Sequence, residues 1–295
     1  MLDFTHHHPG SVRLVKPIST IRWLGGKTPL RATGAFVLDN MPYPPNHIFL
    51  DPFMGSCAAA LNRMVVRNEI VNDLDGNLVN FWKHLRNPTF IEMCEDTLNN
   101  RAEFEEVKRS LDEGTPLERA YKYWFVAETR AAFARPFHQS QWAVHKMERT
   151  ASCVNRKDIV EAKYAALRER IRYWHIDNRP AERMLELHRD VEHIDVYCDP
   201  PYYSTLKGGD TVMYENMEID VDRFTELFLS MRGRVIVSGT ESEWDHLGWR
   251  KESIDVYASL RDVGSFGEDS ETHRSECVWM NYPPNGGVVE EKLFV

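Results

Sequence analysis

The residues best suited to chemistry in this 295-residue chain are Asp199-Pro200-Pro201-Tyr202, which follow the apolar run Ile194–Cys198. Two consecutive prolines cannot continue a hydrogen-bonded strand and hold the chain rigid and extended. They would present a carboxylate, a proline carbonyl and an aromatic face in fixed relative positions. That arrangement suits a planar amine, with acceptors for both N–H donors and a ring to stack on the base. Three further segments have the composition of ligand-facing turns. Asp51-Pro52-Phe53-Met54-Gly55-Ser56-Cys57 follows the apolar Ile48–Leu50 and leads into an alanine-rich stretch, so its backbone can approach a ligand closely. Asn72-Asp73-Leu74-Asp75 comes about twenty residues later, the distance at which an acidic strand tip meets a nucleoside ribose. Asp73 is the candidate acceptor because it sits closest to the strand end, and Asp75 is the candidate cap of the next helix. Near the N-terminus, Trp23-Leu24-Gly25-Gly26-Lys27 lacks the spacing of a phosphate loop. Its lysine suits a carboxylate and its tryptophan an aromatic or cationic ligand.

These segments need a scaffold that brings them together. Short β-branched runs alternate with helical stretches, the pattern of an α/β sheet whose ligands bind outside the carboxyl ends of its strands. Strands are expected at Ile48–Leu50, Glu69–Asn72, Tyr173–Ile176, Ile194–Cys198 and Arg234–Ser238, with an antiparallel pair at Ser253–Tyr257 and Glu276–Asn281. Helices are expected at Cys57–Arg67, Leu78–Arg86, Ala181–His188 and Val221–Met231. From about Asn87 to Arg172 no strand signal appears, so this stretch reads as a mostly helical domain inserted into the sheet domain. The expected division is 1–86, 87–172 and 173–295.

An apolar content of 42% with 27% charged residues is ordinary for a globular chain. No apolar run reaches the roughly 18 residues of a membrane span, and no signal-peptide pattern opens the sequence, so a cytoplasmic protein is expected. Five scattered cysteines without a CxxC pair argue against a disulfide framework and a structural zinc site. The run His6-His7-His8, followed by Pro9-Gly10, reads as a tag remnant or a disordered start rather than a metal site. The net charge of −9 is unusual for a nucleic-acid binder, yet Arg119–Arg172 holds twelve Lys/Arg against five Asp/Glu, interleaved with Trp124, Phe133, Phe137 and Trp142.

The order of these segments resembles the Dam-type, or alpha-group, DNA adenine N6-methyltransferases of bacteria and phages: WxGGK, DPFxGSG, N-D-x-N/D, a target-recognition domain, then DPPY. The resemblance continues through Val235–Gly239 and Arg274–Tyr282, leaving the inserted region as the part of faint similarity. It implies a Rossmann-like class I methyltransferase sheet, S-adenosylmethionine as methyl donor, and DNA, in double-stranded form, as partner. It implies that Trp23 and Lys27 contact the donor, the lysine at its carboxylate. Asp51, Phe53 and Gly55 would line its methionine side, with Asp199 bordering it. Asp73 would bind its ribose, and Asp199, Pro200, Pro201 and Tyr202 would hold the target adenine. Two departures stand out. Cys57 replaces the last glycine of DPFxGSG, and Pro180 occupies the place of an acidic residue that contacts the donor's adenine, leaving Asn178 as a substitute.

The exocyclic amine of adenine is a weak nucleophile because its lone pair is delocalised. Asp199 and the Pro200 carbonyl would accept both N–H bonds and pull the nitrogen toward tetrahedral geometry. Positioning and stabilisation of the developing ammonium would carry catalysis, with no metal required because a sulfonium is already activated. A base inside a duplex must be flipped to be reached, and Lys207 beside Gly208-Gly209 suits a loop closing over it. Arg130 and Arg135, flanking Phe133, are the candidate DNA-reading residues. The alternatives are a cytosine-N4 or RNA amine methyltransferase, protein-glutamine methylation by the same planar-amide geometry, and a non-catalytic DNA-binding protein with a vestigial donor pocket. Asp199 favours adenine over cytosine, where serine is common at that position.

Overall fold

The computed structural model describes residues 4–8, 11–14, 18, 21, 32–41, 46–66, 68–97, 101–129, 164–201, 219–259 and 271–283. A two-stranded hairpin, β1 (Phe4–His8) and β2 (Ser11–Leu14), precedes α1 (Ala32–Asn40). Then follow β3 (Ile48–Asp51), α2 (Ala58–Asn62), β4 (Asn68–Asn72), α3 (Gly76–His84), α4 (Pro88–Glu95), α5 (Arg101–Arg109) and α6 (Pro116–Thr129). A helix at 164–170, here α7, leads to β5 (His175–Asp177) and α8 (Ala181–His188). The chain continues with β6 (Ile194–Cys198), α9 (Val221–Ser230), β7 (Arg234–Thr240), β8 (Arg250–Ser259) and β9 (Glu271–Met280).

Seven strands form one sheet in the order β5-β4-β3-β6-β7-β9-β8. β5 to β7 run parallel, and β9 lies antiparallel between β7 and β8. This is the expected α/β sheet, and its strand order with one reversed strand is that of a Rossmann-like class I methyltransferase. Side-chain alternation puts Phe49, Val71, Tyr197, Ile236 and Val278 into one buried cluster. Leu50, Val196, Val235, Val237 and Trp279 enter a second cluster on the opposite face. Helices α1, α3 and α6 contribute to the first cluster, while α8 and α9 cover the second through Met184, Leu185, Phe224 and Phe228. Burial on both faces explains why the central strands read as short continuous apolar runs rather than alternating ones.

Several expectations are corrected. The run His6–His8 is part of β1, which pairs antiparallel with β2, Phe4 opposite Leu14 and His8 opposite Ser11. The strand expected at Tyr173–Ile176 begins only at His175, because Trp174 still turns back, its backbone N–H donating to Ile171 O (3.1 Å). The helix expected over Cys57–Arg67 ends at Asn62, where Arg63 adopts an extended backbone (φ −78°, ψ 166°). That turn swings its buried guanidinium over the Phe49 ring, 4.1 Å from the centroid. β8 starts at Arg250 and β9 at Glu271, so the antiparallel pair is longer than expected.

Two residues counted in the basic, aromatic stretch are core residues. Trp124 is 3% exposed and its indole N–H donates to the Tyr164 hydroxyl, which ties α6 to α7. Arg170 is likewise buried, gripping the Glu69 carboxylate through two guanidinium nitrogens. Neither is available to DNA. Phe90, Phe104 and Phe125, from beyond the expected boundary at residue 87, share the buried cluster of Phe49 and Val71. Residues 130–163 lie outside the described residues.

Candidate active site

Strand order fixes where a ligand can bind. From β3 the chain proceeds outward to β4 and β5 on one side, and from β6 to β7 on the other. The reversal therefore falls between β3 and β6, and the crevice of such a sheet opens at the carboxyl ends of those two strands. Asp51 closes β3, Asp199 follows β6 and Asp73 follows β4, so the three carboxylates separated in sequence stand along one edge.

Asp51 is 1% exposed and accepts the backbone N–H of Phe53 (3.2 Å). Burial holds its carboxyl well above the ordinary range; the Phe53 N–H offsets part of this, and the charges of Asp199 and Asp73 add to the rise. Asp73 is half-buried, with Oδ2 accepting Gly55 N–H (3.0 Å) and Oδ1 accepting Asp75 N–H (2.9 Å). Burial raises its pKa to about 6 despite those backbone donors. An edge with this much mutually repelling carboxylate favours a cationic ligand.

The turn after β3 is braced from below. Gly55 has φ 45°, a conformation that favours glycine, and its carbonyl accepts the Trp82 indole N–H (3.1 Å). Cys57, where the resemblance expects glycine, also has positive φ (52°) and caps α2 without a side-chain hydrogen bond. The tertiary reason for that glycine is thus visible. Burial, reinforced by Asp51 and Asp73, pushes the Cys57 thiol well up, so it stays neutral.

Asp75 caps α3 as expected, accepting Asn77 N–H (2.9 Å) and Leu78 N–H (3.1 Å), while its other oxygen accepts the Tyr123 hydroxyl (3.2 Å) from α6. Phe53 is half-buried with its ring 5.6 Å from that of Phe224. Asn178 directs its amide N–H bonds to the carbonyls of Asp73 (2.8 Å) and Leu74 (3.1 Å). Pro180 precedes α8 at its N-cap. Pro200 is buried and Pro201 half-buried beside Asp199. Trp23, Lys27, Arg130, Arg135, Tyr202 and Lys207 lie outside the described residues.

The structure adds residues that sequence reasoning passed over. Leu74 is 55% exposed at the tip beside Asp73, an apolar shelf in a polar turn. Its signal was a leucine between two aspartates with no periodic partner. Tyr197, on the strand leading to Asp199, is buried with its hydroxyl accepting from Ser238 (3.2 Å). Burial and the nearby Asp199 charge push its pKa well up, keeping the phenol neutral. Beside it, a Cβ at Gly239 would sit 2.9 Å from Glu243 Oε2 and 3.0 Å from Trp244 Cδ1, so a larger residue there would push the Glu243 and Trp244 side chains aside. Glu241, just beyond, holds a positive φ of 48°. Strain of this kind is costly and clusters at functional edges.

The row of carboxylates at the strand ends thus stands beside the Asp199-Pro200-Pro201 run that follows β6. Residues 23–232 match the D12 class N6 adenine-specific DNA methyltransferases, and the chain belongs to that family. It is an adenine-N6 DNA methyltransferase, with DNA as its substrate. No curated protein matches the chain. Among solved structures it is similar to a precorrin-6y C5,15-methyltransferase from Geobacter metallireducens GS-15, at 9% identity and a TM-score of 0.35, covering 88% of this chain and 93% of that one. Among the described residues, no helix is long and apolar enough to cross a membrane, and no group of three or more His, Cys, Asp or Glu side chains could hold a metal ion.

Proposed function

We propose that the chain transfers a methyl group from S-adenosylmethionine to the N6 amine of an adenine flipped out of duplex DNA, at a specific sequence. The observation that carries this reading is the alignment of Asp51 and Asp199 at the strand ends that flank the reversal between β3 and β6, with Asp73 at the end of the neighbouring β4. The donor supplies an electrophilic methyl on a cationic sulfur. The acidic edge suits that cation, and the backbone-braced Asp73 carboxylate suits a pair of ribose hydroxyls. Leu74 offers an apolar surface for the donor's adenine, and Gly55 leaves room for its methionine portion beside Asp51 and Phe53. Trp23 and Lys27 would complete the pocket, the lysine at the donor's carboxylate.

At the acceptor end, Asp199 and the Pro200 carbonyl take the two amine protons in hydrogen bonds, and Pro201 keeps the backbone extended so that Tyr202 can stack on the base. Stacking of this kind returns roughly 1–3 kcal/mol, against the few kcal/mol that flipping costs. As positive charge moves from sulfur to nitrogen, Asp199 stabilises it where it develops. Recognition is assigned to the inserted stretch, with Arg130 and Arg135 at the duplex and Lys207 near the flipped base. This reading is tested by incubating the protein with methyl-labelled S-adenosylmethionine and a mixed-sequence plasmid, then mapping modified positions by single-molecule sequencing. Label in N6-methyladenine at one recurring sequence supports it. Label in N4-methylcytosine, or no label in the DNA, overturns it.

A further inference from the structure

Asn72 closes β4 and is 0% exposed, a place where an amide is costly unless its polar atoms are paired. Its partners lie in turns that are far apart in sequence. Nδ2 donates to Pro52 O (3.0 Å) in the turn after β3 and to Arg179 O (2.9 Å) in the turn after β5. Oδ1 accepts Arg179 N–H (2.9 Å), and the Asn72 backbone carbonyl accepts Met54 N–H (2.8 Å). Asp73 follows directly in the chain, and Asn178 adds a second stitch from the turn after β5 to the Asp73 and Leu74 carbonyls. One buried side chain thus sets the mutual spacing of the turns that end β3, β4 and β5.

We propose that Asn72 is a positioning residue for the methyl donor: its amide holds the Asp51–Gly55, Asp73–Leu74 and Asp177–Pro180 turns at the separation that lets one ligand touch all three. The proposal rests on the donor reading above. A ligand that spans several turns loses affinity when their spacing is no longer fixed, because it must then order them itself. The chemical step at Asp199, on the other side of the strand reversal, is not built from these turns.

The test compares wild type, Asn72→Ala, Asn72→Ser and Asn281→Ala. Asn281 lies at the opposite end of the sheet, donating to Gly233 O (3.0 Å) and accepting Val235 N–H (2.8 Å), so its loss perturbs stability away from the turns. S-adenosylmethionine affinity is measured by titration calorimetry, KM and kcat by methyl transfer to plasmid DNA, and stability by thermal unfolding. Asn72→Ala is expected to raise both Kd and KM for S-adenosylmethionine by about tenfold or more, with kcat at saturation within about threefold. Asn72→Ser, which puts a hydroxyl able to donate and accept one bond in place of the amide, falls between and serves if the alanine variant does not fold. Asn281→Ala leaves Kd unchanged even where its melting temperature drops as far. Asn72 variants that bind as tightly as wild type, or an Asn281→Ala that weakens binding equally, overturn the proposal. A wild-type protein that binds no S-adenosylmethionine overturns the donor reading itself, and the proposal with it.

Discussion

Replacing Cys57 probes the turn before α2 more sharply than any other single position there. Its φ of 52° costs a non-glycine residue about 1–2 kcal/mol. At 1% exposure its thiol returns about 1 kcal/mol by burial. Cys57→Gly removes the strain, forfeits the burial and adds roughly 0.5–1 kcal/mol of unfolded-chain freedom. The opposing effects nearly cancel, and stability should stay within about 1 kcal/mol of wild type. Cys57→Ala loses the thiol but keeps the strain, costing about 1 kcal/mol. Cys57→Val puts a β-branched side chain at positive φ and overfills a closed site, costing about 3 kcal/mol or more. Urea unfolding followed by circular dichroism reads the order directly: Gly close to Cys, then Ala, then Val well below. A glycine variant less stable than the alanine variant would refute the argument, because the left-handed backbone would then carry no penalty worth relieving.

Asp199→Ala should abolish transfer in single-turnover assays while calorimetry shows donor affinity within about threefold of wild type, since the lost bonds belong to the acceptor amine. Asp73→Ala should weaken donor binding by roughly 1.5–3 kcal/mol; an unchanged affinity would move the ribose contact to Asp75. Because the folded pKa of Asp73 is about 6, above its unfolded value, its protonation favours the folded state at low pH. That stability is full below about pH 4 and is lost as pH rises through 6. Donor affinity should run the other way, rising between pH 5 and 7 as the carboxylate ionises, and a flat profile in that window would exclude Asp73 as the ribose acceptor. Arg170→Met takes the two-nitrogen grip from the buried Glu69 carboxylate, which keeps Arg63 and the Trp174 indole N–H, and should cost about 3 kcal/mol in urea unfolding, part of it recovered when Glu69→Gln is added; a single variant within about 1 kcal/mol of wild type would deny the pair any structural role. Arg130→Ala and Arg135→Ala, assayed on cognate and scrambled duplexes at two salt concentrations, should either relax one base position at about 1–3 kcal/mol or weaken all sequences alike. No change in affinity, salt slope or site preference would place recognition elsewhere.

Much of the row of strand-end carboxylates was legible in the sequence because its signals are local. A carboxylate after a short apolar run marks a strand tip whatever surrounds it, so Asp51, Asp73 and Asp199 could be singled out one at a time, and Asp75 could be named as a cap from its place before a helix. The rigid Asp-Pro-Pro run announces itself by the chemistry of proline. α8 and β6 fall on the residues expected because an amphipathic period and a buried run need no distant partner to be recognised.

What the sequence could not decide depends on partners far away in the chain. Trp124 and Arg170 have the composition of a nucleic-acid surface, and only the packing of α6 and α7 on the sheet turns them inward, toward Tyr164 and Glu69. α2 stops early because Arg63 is drawn to Phe49 and Glu69, contacts no window of neighbouring residues contains. Asn72 stood in the sequence as the first residue of the Asn72–Asp75 segment, with no partner of its own. Its role comes from Pro52 and Arg179, 20 and 107 residues away, which the parallel order of β3, β4 and β5 brings within hydrogen-bonding distance of one amide. Residue types and their spacing determined which groups stand at the strand tips, since that information is carried by the nearest few residues. Which tips stand side by side, and how rigidly, was decided by strand order and burial, since those are set by the whole chain folding at once.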